Sequence, residues 1–406
     1  MKMAEKLEKL AVDGGTPLFA ESLATNIPTW PPIFPETEEK LIEVYRSGKW
    51  GLKGKYEKLL MEEFAKYQTA KYCEWMCNGT TTLECAMLAL DIGPGDEVIV
   101  PGVTWIATAQ APIYCGAKPV IVDIDPDTLC IDPKRIEEAI TPRTKAIIPV
   151  HLYSAMADMD AINAIAKKHN LYVVEDCAHA HGAKQHGKGA GSIGDIGSFS
   201  FQLSKLMTSG EGGCTTTNDL RLHDRLFRLS HIGNSALPEN PPLEKGLPCH
   251  QYRFTEFQAA IIYDQLQHMP ELTKTRNDNM QRWFDLIKDL PGIRPQKSAF
   301  ADDERSYYFV TFLLQKDELK EGATHSGIAK ALAAEGLELG TGWGKPLYSS
   351  VIWNIPEDQY VKMDTPVCED VMKNRILCTM HTMAMDRSIV EKAAAVMRKV
   401  MPHFAK

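Results

Sequence analysis

The chain has 406 residues, with 45 basic against 53 acidic side chains and a formal charge of −8, a length that exceeds what one hydrophobic core usually serves and suits a large unit plus a smaller one. The acidic balance comes with no basic stripe carrying interleaved aromatics, which excludes nucleic acid as the expected partner. No apolar run reaches the length of a membrane span.

Residues 1–36 carry Gly14-Gly15-Thr16-Pro17 and the proline-rich Ile27-Pro28-Thr29-Trp30-Pro31-Pro32, which suits an irregular arm laid over another surface. Helical periodicity runs from Thr37, a capping residue, to Ser47 and again over 55–68, and the glycine-rich break over 48–54 holds Trp50. Asn78-Gly79-Thr80-Thr81-Thr82 opens a helix over 83–90. Its small and hydroxyl residues leave backbone N–H groups at a positive helix end, which suits a phosphate as well as it suits an ordinary cap. A strand over 95–101 leads to a helix that begins at Thr104-Trp105-Ile106.

Apolar strands over 119–122, 146–150 and 171–174 alternate with helical stretches such as 160–169, the pattern of a parallel α/β sheet. His151 ends one strand, and Asp176 and His179 follow another, so all three point to the sheet edge where ligands bind; His151 reads as a residue that supports the site from behind. Residues 195–201 read as a further strand, followed by Lys205 and a turn with Gly210, Gly212 and Gly213. A helix over 220–230 and a polar, proline-rich loop over 231–247 lead to Gln251-Tyr252-Arg253. From Met269 the pattern changes to a long charged helix (270–290), a strand (307–314) and helices over 325–335 and 388–400. The expected organisation is an arm over 1–36, a large domain over 37–268 and a small C-terminal α+β domain over 269–406.

Ten cysteines are scattered through contexts such as Cys115, Cys130 and Cys177 with no secretory signal ahead of them, so they read as reduced thiols of a cytoplasmic protein. Cys73 and Cys77 have no complementary cysteine or histidine pair, and no metal site is expected.

A lysine between a strand end and a glycine turn is one that the fold can desolvate. Burial lowers its pKa and frees the amine for Schiff-base chemistry with a carbonyl compound. Asp176, upstream at the ligand edge, suits the pyridine nitrogen of pyridoxal phosphate, which must stay protonated for the ring to act as an electron sink. Gly189-Ala190-Gly191-Ser192-Ile193-Gly194 satisfies the glycine spacing of dinucleotide sites, but a strand follows it where a helix is required, so a nicotinamide site is not expected.

Taken together, Glu175-Asp176-Cys177-Ala178-His179, the Ser200-Phe201-x-x-x-Lys205 element and Thr208-x-Gly210-Glu211-Gly212-Gly213 resemble the DegT/DnrJ/StrS sugar aminotransferases. These are pyridoxal-phosphate enzymes of fold type I, with an aspartate-aminotransferase-like large domain on a mostly parallel sheet. The resemblance runs from Gly14-Gly15-Thr16-Pro17 to the last helices. It implies that Lys205 holds the cofactor and then moves the proton between the donor α-carbon and the cofactor. It also implies Asp176 on the ring nitrogen, His179 beside the aspartate or the ring hydroxyl, Trp105 stacked on the ring, and Gly79, Thr80 and Ser200 on the phosphate. The Trp50 break is placed near the site. A homodimer with shared active sites is implied, the segment around Gln251 crossing into the partner subunit. The family usually has an asparagine where this chain has Gln251, a longer amide that keeps a donor for phosphate.

Related dehydratases carry histidine at the lysine position, and a sensor on this fold would lack the lysine or add a DNA-binding segment, so Lys205 favours an aminotransferase. The lysine motif and the Gly14-Gly15-Thr16-Pro17 start look most like the cyclitol and aminohydroxybenzoate branch. That implies glutamine or glutamate as donor and a keto-cyclitol such as an inosose as acceptor, against the alternative of a nucleotide-linked keto-sugar. Gln202, His151 and His381 are candidate hydroxyl-binding groups for a cyclitol, and Arg276 and Lys345 candidate cations for a diphosphate.

Overall fold

The alternating apolar runs assemble into one eight-stranded sheet in a computed structural model that describes residues 7–406; the first six residues of the expected arm lie outside the described residues. Its strands are β1 (Tyr72–Met76), β2 (Glu97–Pro101), β3 (Lys118–Val122), β4 (Thr144–Ile147) and β5 (Tyr172–Asp176), then, after a short hairpin of β6 (Lys184–Gln185) and β7 (Lys188–Gly189), β8 (Ile196–Ser200) and β9 (Gly213–Thr217). A second sheet holds β10 (Ile293–Pro295), β11 (Phe309–Leu314) and β13 (Ile376–Met380), while β12 (Val361–Lys362) returns to the edge of the first. The large sheet is ordered β1-β9-β8-β5-β4-β2-β3-β12. Neighbours from β8 to β12 run parallel, and β9 is antiparallel to both β1 and β8.

A parallel sheet buried on both faces requires apolar side chains in both directions, which is why its strands read as continuous apolar runs. Val98, Val100, Ile121 and Val174 face a core shared with α3 (Gly79–Ala89), α4 (Ala107–Tyr114) and α7 (Leu220–Ser230). Their sequence neighbours Ile99, Val120, Val122 and Val173 face the opposite core, filled from α2 (Lys55–Tyr67), α5 (Pro133–Ala139) and α6 (Met159–His169), with Val44 of α1 (Pro35–Ser47) buried in the same core.

One helix joins the two sheets. The sequence places a helix start at Pro270, yet α8 runs unbroken from Glu256 to Ile287 with Pro270 inside it. Thr255 and Gln258 close a capping box at its start, Ala259, Ile262 and Leu266 pack into the large core, and Met280, Trp283 and Ile287 into the second one. Burial at both ends outweighs the single backbone donor that proline removes. The boundary expected between residues 268 and 269 therefore falls inside α8.

The second core also takes residues from α9 (His325–Ala334) and α11 (Arg387–Phe404), with α10 (Pro366–Asn374) at the junction. The strand expected from Tyr307 begins at Phe309, because Tyr307 has a φ of 52°, outside the strand region. Leu10 and Leu23 of the N-terminal segment are buried in this same core, and the N–H groups of Ala11 and Leu18 donate to the Glu335 carboxylate at 2.8 and 2.7 Å. The surface beneath this stretch of the arm belongs to its own chain. All ten cysteines are free, and among the described residues no helix is long and apolar enough to cross a membrane.

Candidate active site

The C-terminal ends of the parallel strands converge on a cavity of about 390 Å³. At one corner β1 passes into α3 through Asn78, whose Oδ1 accepts from the Thr81 N–H at 2.9 Å. The Gly79 and Thr80 N–H groups are left with no acceptor among the described residues, at the positive end of an 11-residue helix. The end of β8 comes close: a Cβ on Gly79 would lie 2.7 Å from that of Ser200, so only glycine fits there. The hydroxyl of Ser200 lines the same corner.

Asp176 closes β5 and is 5 % exposed. Thr108 on α4 donates to its Oδ2 at 2.8 Å, and the Ala178 N–H donates to Oδ1 at 3.1 Å. Burial raises the pKa of this carboxyl, and the two hydrogen bonds pull it partly back. Trp105, just before α4, is 52 % exposed although it lines the cavity, so a large aromatic face is presented to whatever enters. His179 is buried and stacks on Tyr308 at 4.3 Å. Its Nδ1 accepts from the Tyr153 N–H at 3.4 Å. Burial, reinforced by the nearby Lys205 charge, pushes its pKa well below the ordinary value, so the ring is neutral and carries its proton on Nε2.

Lys205 sits on the turn that follows β8, where its N–H donates to the Gln202 carbonyl at 2.8 Å. The side chain is half-buried with the amine at the cavity wall. Loss of water pushes its pKa down to about 8, against the opposing pull of Asp176. At neutral pH an appreciable fraction of this lysine is therefore a free amine, the form that attacks a carbonyl.

The glycine-rich run before β8 binds an internal anion. The N–H groups of Gly191, Ile193 and Gly194 donate to the carboxylate of Glu175 at 2.9, 2.8 and 2.7 Å. A fourth donor is His151: its Nδ1 accepts from the Ala157 N–H at 3.2 Å, so Nε2 carries the proton and donates to Glu175 Oε2 at 2.9 Å. The loop that mimics a dinucleotide site is thus occupied by a side chain of its own fold.

The model of the DegT/DnrJ/EryC1/StrS aminotransferase family matches residues 32–399. The chain belongs to this family. It is 36% identical over 424 residues to the L-glutamine:2-deoxy-scyllo-inosose aminotransferase of Streptoalloteichus tenebrarius, covering 97% of this chain and 98% of that protein. A protein of the same description from Streptomyces kanamyceticus is 40% identical over 340 residues, covering 80% and 78% of the two chains. Among solved structures, the aminotransferase from Psychrobacter cryohalolentis superposes with a TM-score of 0.83 at 32% identity, over 93% of this chain and 99% of that one.

The DegT/DnrJ/EryC1/StrS chain is a pyridoxal-phosphate-dependent aminotransferase, and its cavity matches the cofactor chemically. It offers uncommitted N–H groups for an anion, a buried carboxylate for a pyridinium, an exposed indole face and an amine of lowered pKa.

Of the residues singled out in the sequence, Gly79, Thr80, Trp105, Asp176, His179, Ser200, Gln202 and Lys205 all line the cavity. Others do not. Gln251 is exposed, outside the cavity of its own chain, and accepts a hydrogen bond from Arg253. Trp50 stacks on Tyr45 at 5.7 Å, also away from it. Two of the proposed hydroxyl-binding groups are unavailable: His151 is committed to Glu175, and His381 is fully buried against Trp30. Arg276 is no diphosphate ligand either, being fully buried and bonded to the Ser306 carbonyl and the Thr273 hydroxyl. Lys345 is exposed and does not line the cavity. Tyr308, Phe309 and Trp343 line the cavity without having been foreseen, and Glu211 lines it although the sequence marked it only as part of the motif after Lys205. Thr108, the donor to Asp176, was also missed, although a hydroxyl one turn after Thr104 on a largely apolar helix is a legible signal.

Proposed function

We propose that this aminotransferase moves the amino group of glutamine or glutamate to a free keto-cyclitol of the inosose type. The observation that carries the acceptor class is the charge of the cavity. Among its described lining residues Lys205 is the one cation, set against Asp176 and Glu211. A nucleotide diphosphate requires several cationic contacts, whereas an uncharged ring of hydroxyls requires hydrogen bonds such as Gln202, Ser204 and Tyr308 can make. The printed activity of the two relatives supports the same reading.

Pyridoxal phosphate, when bound, supplies the electron sink for the carbon that loses its proton. In this reading Gly79 and Thr80 N–H groups and the Ser200 hydroxyl hold the phosphate, and Trp105 covers one face of the ring. Asp176 keeps a proton on the ring nitrogen, and Thr108 and Ala178 fix the carboxylate for that task. His179, neutral and stacked on Tyr308, would support the aspartate or the ring hydroxyl. Lys205 Nζ would hold the cofactor and, as a free amine, would take the proton from the donor α-carbon; its lowered pKa suits that exchange. On the acceptor side the same amine returns the proton.

The reading includes a homodimer of the cytoplasm in which Gln251 reaches the phosphate of the neighbouring subunit. Its outward position, beyond the cavity of its own chain, supports action in trans. The test of the acceptor is amine formation from a panel of inososes and nucleotide-linked keto-sugars. Turnover of an inosose is expected, and turnover confined to the nucleotide-linked sugars would overturn the assignment.

A further inference from the structure

The loop over 340–346 is pinned at both ends to different parts of the fold. At its start Gly340 and Cys378 of β13 exchange two backbone hydrogen bonds of 2.8 Å. Just past its end the Leu347 N–H donates to the Gly102 carbonyl at 3.0 Å, immediately after β2 and two residues before Thr104. The loop therefore spans from the small sheet to the ligand edge of the large one. At its middle Trp343 stands between Gly342 and Gly344, with φ of 63° and 71°. Two left-handed residues in so short a span need glycine, and together they project the intervening side chain sharply out of the loop.

Trp343 lines the cavity and keeps 39 % of its surface exposed. Its ring centre lies 5.8 Å from Tyr153 and 6.4 Å from His179, tilted against both. Trp105, the other exposed tryptophan of the cavity, already serves the flat face of the cofactor in the reading above. The second indole is backed by Tyr153 and His179 yet keeps exposed surface at the cavity, which the polar side chains of Gln202 and Ser204 also line. Gln202 Oε1 already accepts from the N–H and the hydroxyl of Ser204, at 2.9 and 2.8 Å, which leaves the Gln202 amide N–H groups as donors toward hydroxyls.

We infer that Trp343 determines acceptor specificity, its indole packing on the C–H face of the keto-cyclitol while the hydroxyl rim bonds to the Gln202 and Ser204 turn. This rests on the cyclitol reading and assigns the residue that enforces it. A saturated ring with hydroxyls around its edge offers two apolar faces and a polar girdle, which an aromatic platform beside hydrogen-bonding side chains complements. An amino-acid donor has a flexible chain and no such face, so it gains less from the indole.

The experiment separates the two substrates in the cofactor-loaded enzyme. Wild-type turnover of 2-deoxy-scyllo-inosose is measured first; if it is absent while nucleotide-linked sugars react, the cyclitol reading fails before Trp343 is tested. Given that turnover, Trp343→Ala is expected to raise the acceptor KM about tenfold or more, the loss of one well-packed aromatic contact, while the glutamine KM moves less than about threefold. Trp343→Phe should recover most of the loss. Binding of a non-reactive inositol, followed by calorimetry, should weaken in the same order. If the alanine variant does not fold, Trp343→Leu keeps an apolar side chain without the aromatic face and carries the same expectation. An unchanged acceptor KM in a folded variant, or donor and acceptor KM rising together, would overturn the inference.

Discussion

Lys205 Nζ lies 4.7 Å from the centre of the Tyr308 ring. Tyr308 also shares a 2.8 Å hydrogen bond with Ser204 and stacks on His179, so one ring ties the lysine turn to the histidine that follows β5. Besides the Asp176 charge, which favours the ammonium, two effects of opposite sign meet at the amine. The π face favours the ammonium by about 0.5–2 kcal/mol, while desolvation favours the neutral form by up to several pKa units. Desolvation wins, since the pKa is pushed down to about 8.

Removing the π face should therefore lower the lysine pKa further. Tyr308→Leu is expected to shift the pH dependence of cofactor uptake downward by about one unit or less, and Tyr308→Phe to leave it in place. Stopped-flow uptake of pyridoxal phosphate by the cofactor-free protein, from pH 6 to 10, reads the midpoint. A shift upward in the leucine variant would contradict the balance described.

The same lysine makes a pH-dependent demand on stability. Its folded pKa of about 8 lies below the ordinary 10.5, so the unfolded chain binds more protons in that window and its stability rises with pH there. Below pH 8 the folded protein bears the whole cost of a desolvated ammonium, at most about 3 kcal/mol and less where water in the cavity screens it. Lys205→Met should thus raise the Tm of the cofactor-free protein at pH 7, and its advantage should shrink as pH rises from 8 to 10.5. The same variant should show no visible absorbance from lysine-bound cofactor and no transamination.

Asp176→Asn keeps the shape of the side chain and its contact to Thr108 but loses the charge that, in the proposed function, retains a proton on the ring nitrogen. Cofactor should still bind, and kcat should fall by at least about 10²-fold, the scale of removing an electrostatic contact to the reacting system. Equilibrium dialysis and steady-state rates measured together distinguish this from simple loss of cofactor.

Glu175→Ala would strand four donors, the buried ones of Gly191 and His151 and the partly buried ones of Ile193 and Gly194. Unmet donors in a dry interior cost about 1–3 kcal/mol each, so a loss of at least about 3 kcal/mol is expected by denaturant unfolding. Glu175→Gln should lose less, because its amide oxygen still accepts. Since the N–H groups are already engaged, a fluorescence titration of the wild type with NADH should show no binding.

Mixing tests the shared site. A Lys205→Ala chain and a Gln251→Ala chain, each inactive or weak alone, should give activity on subunit exchange if Gln251 acts in trans, because one site of each hybrid then has both groups intact. Confirmed exchange without recovery would assign Gln251 to its own subunit.

Much of the site was legible because it is written locally. A parallel sheet puts its ligand at the C-terminal strand ends, and the residues at or just past the ends of β1, β5 and β8 are of the types that suit an anion, a pyridinium and a carbonyl: Gly79 and Thr80, Asp176 and His179, Ser200 and Lys205. Strand and helix alternation gave the architecture for a related reason, since burial on two faces leaves a run of apolar residues that needs no knowledge of the partner strand. Packing alone decided what the sequence cannot carry. Tyr308 and Trp343 reach the cavity from more than 100 residues beyond Lys205, through a β11 and a loop whose placement depends on α8 continuing through Pro270. Glu175 and its neighbour Asp176 look alike as acids in a row, yet alternate side chains of a strand point to opposite faces. One meets a closed nest of backbone N–H groups and the other opens to the cavity, and only the folded sheet determines which is which.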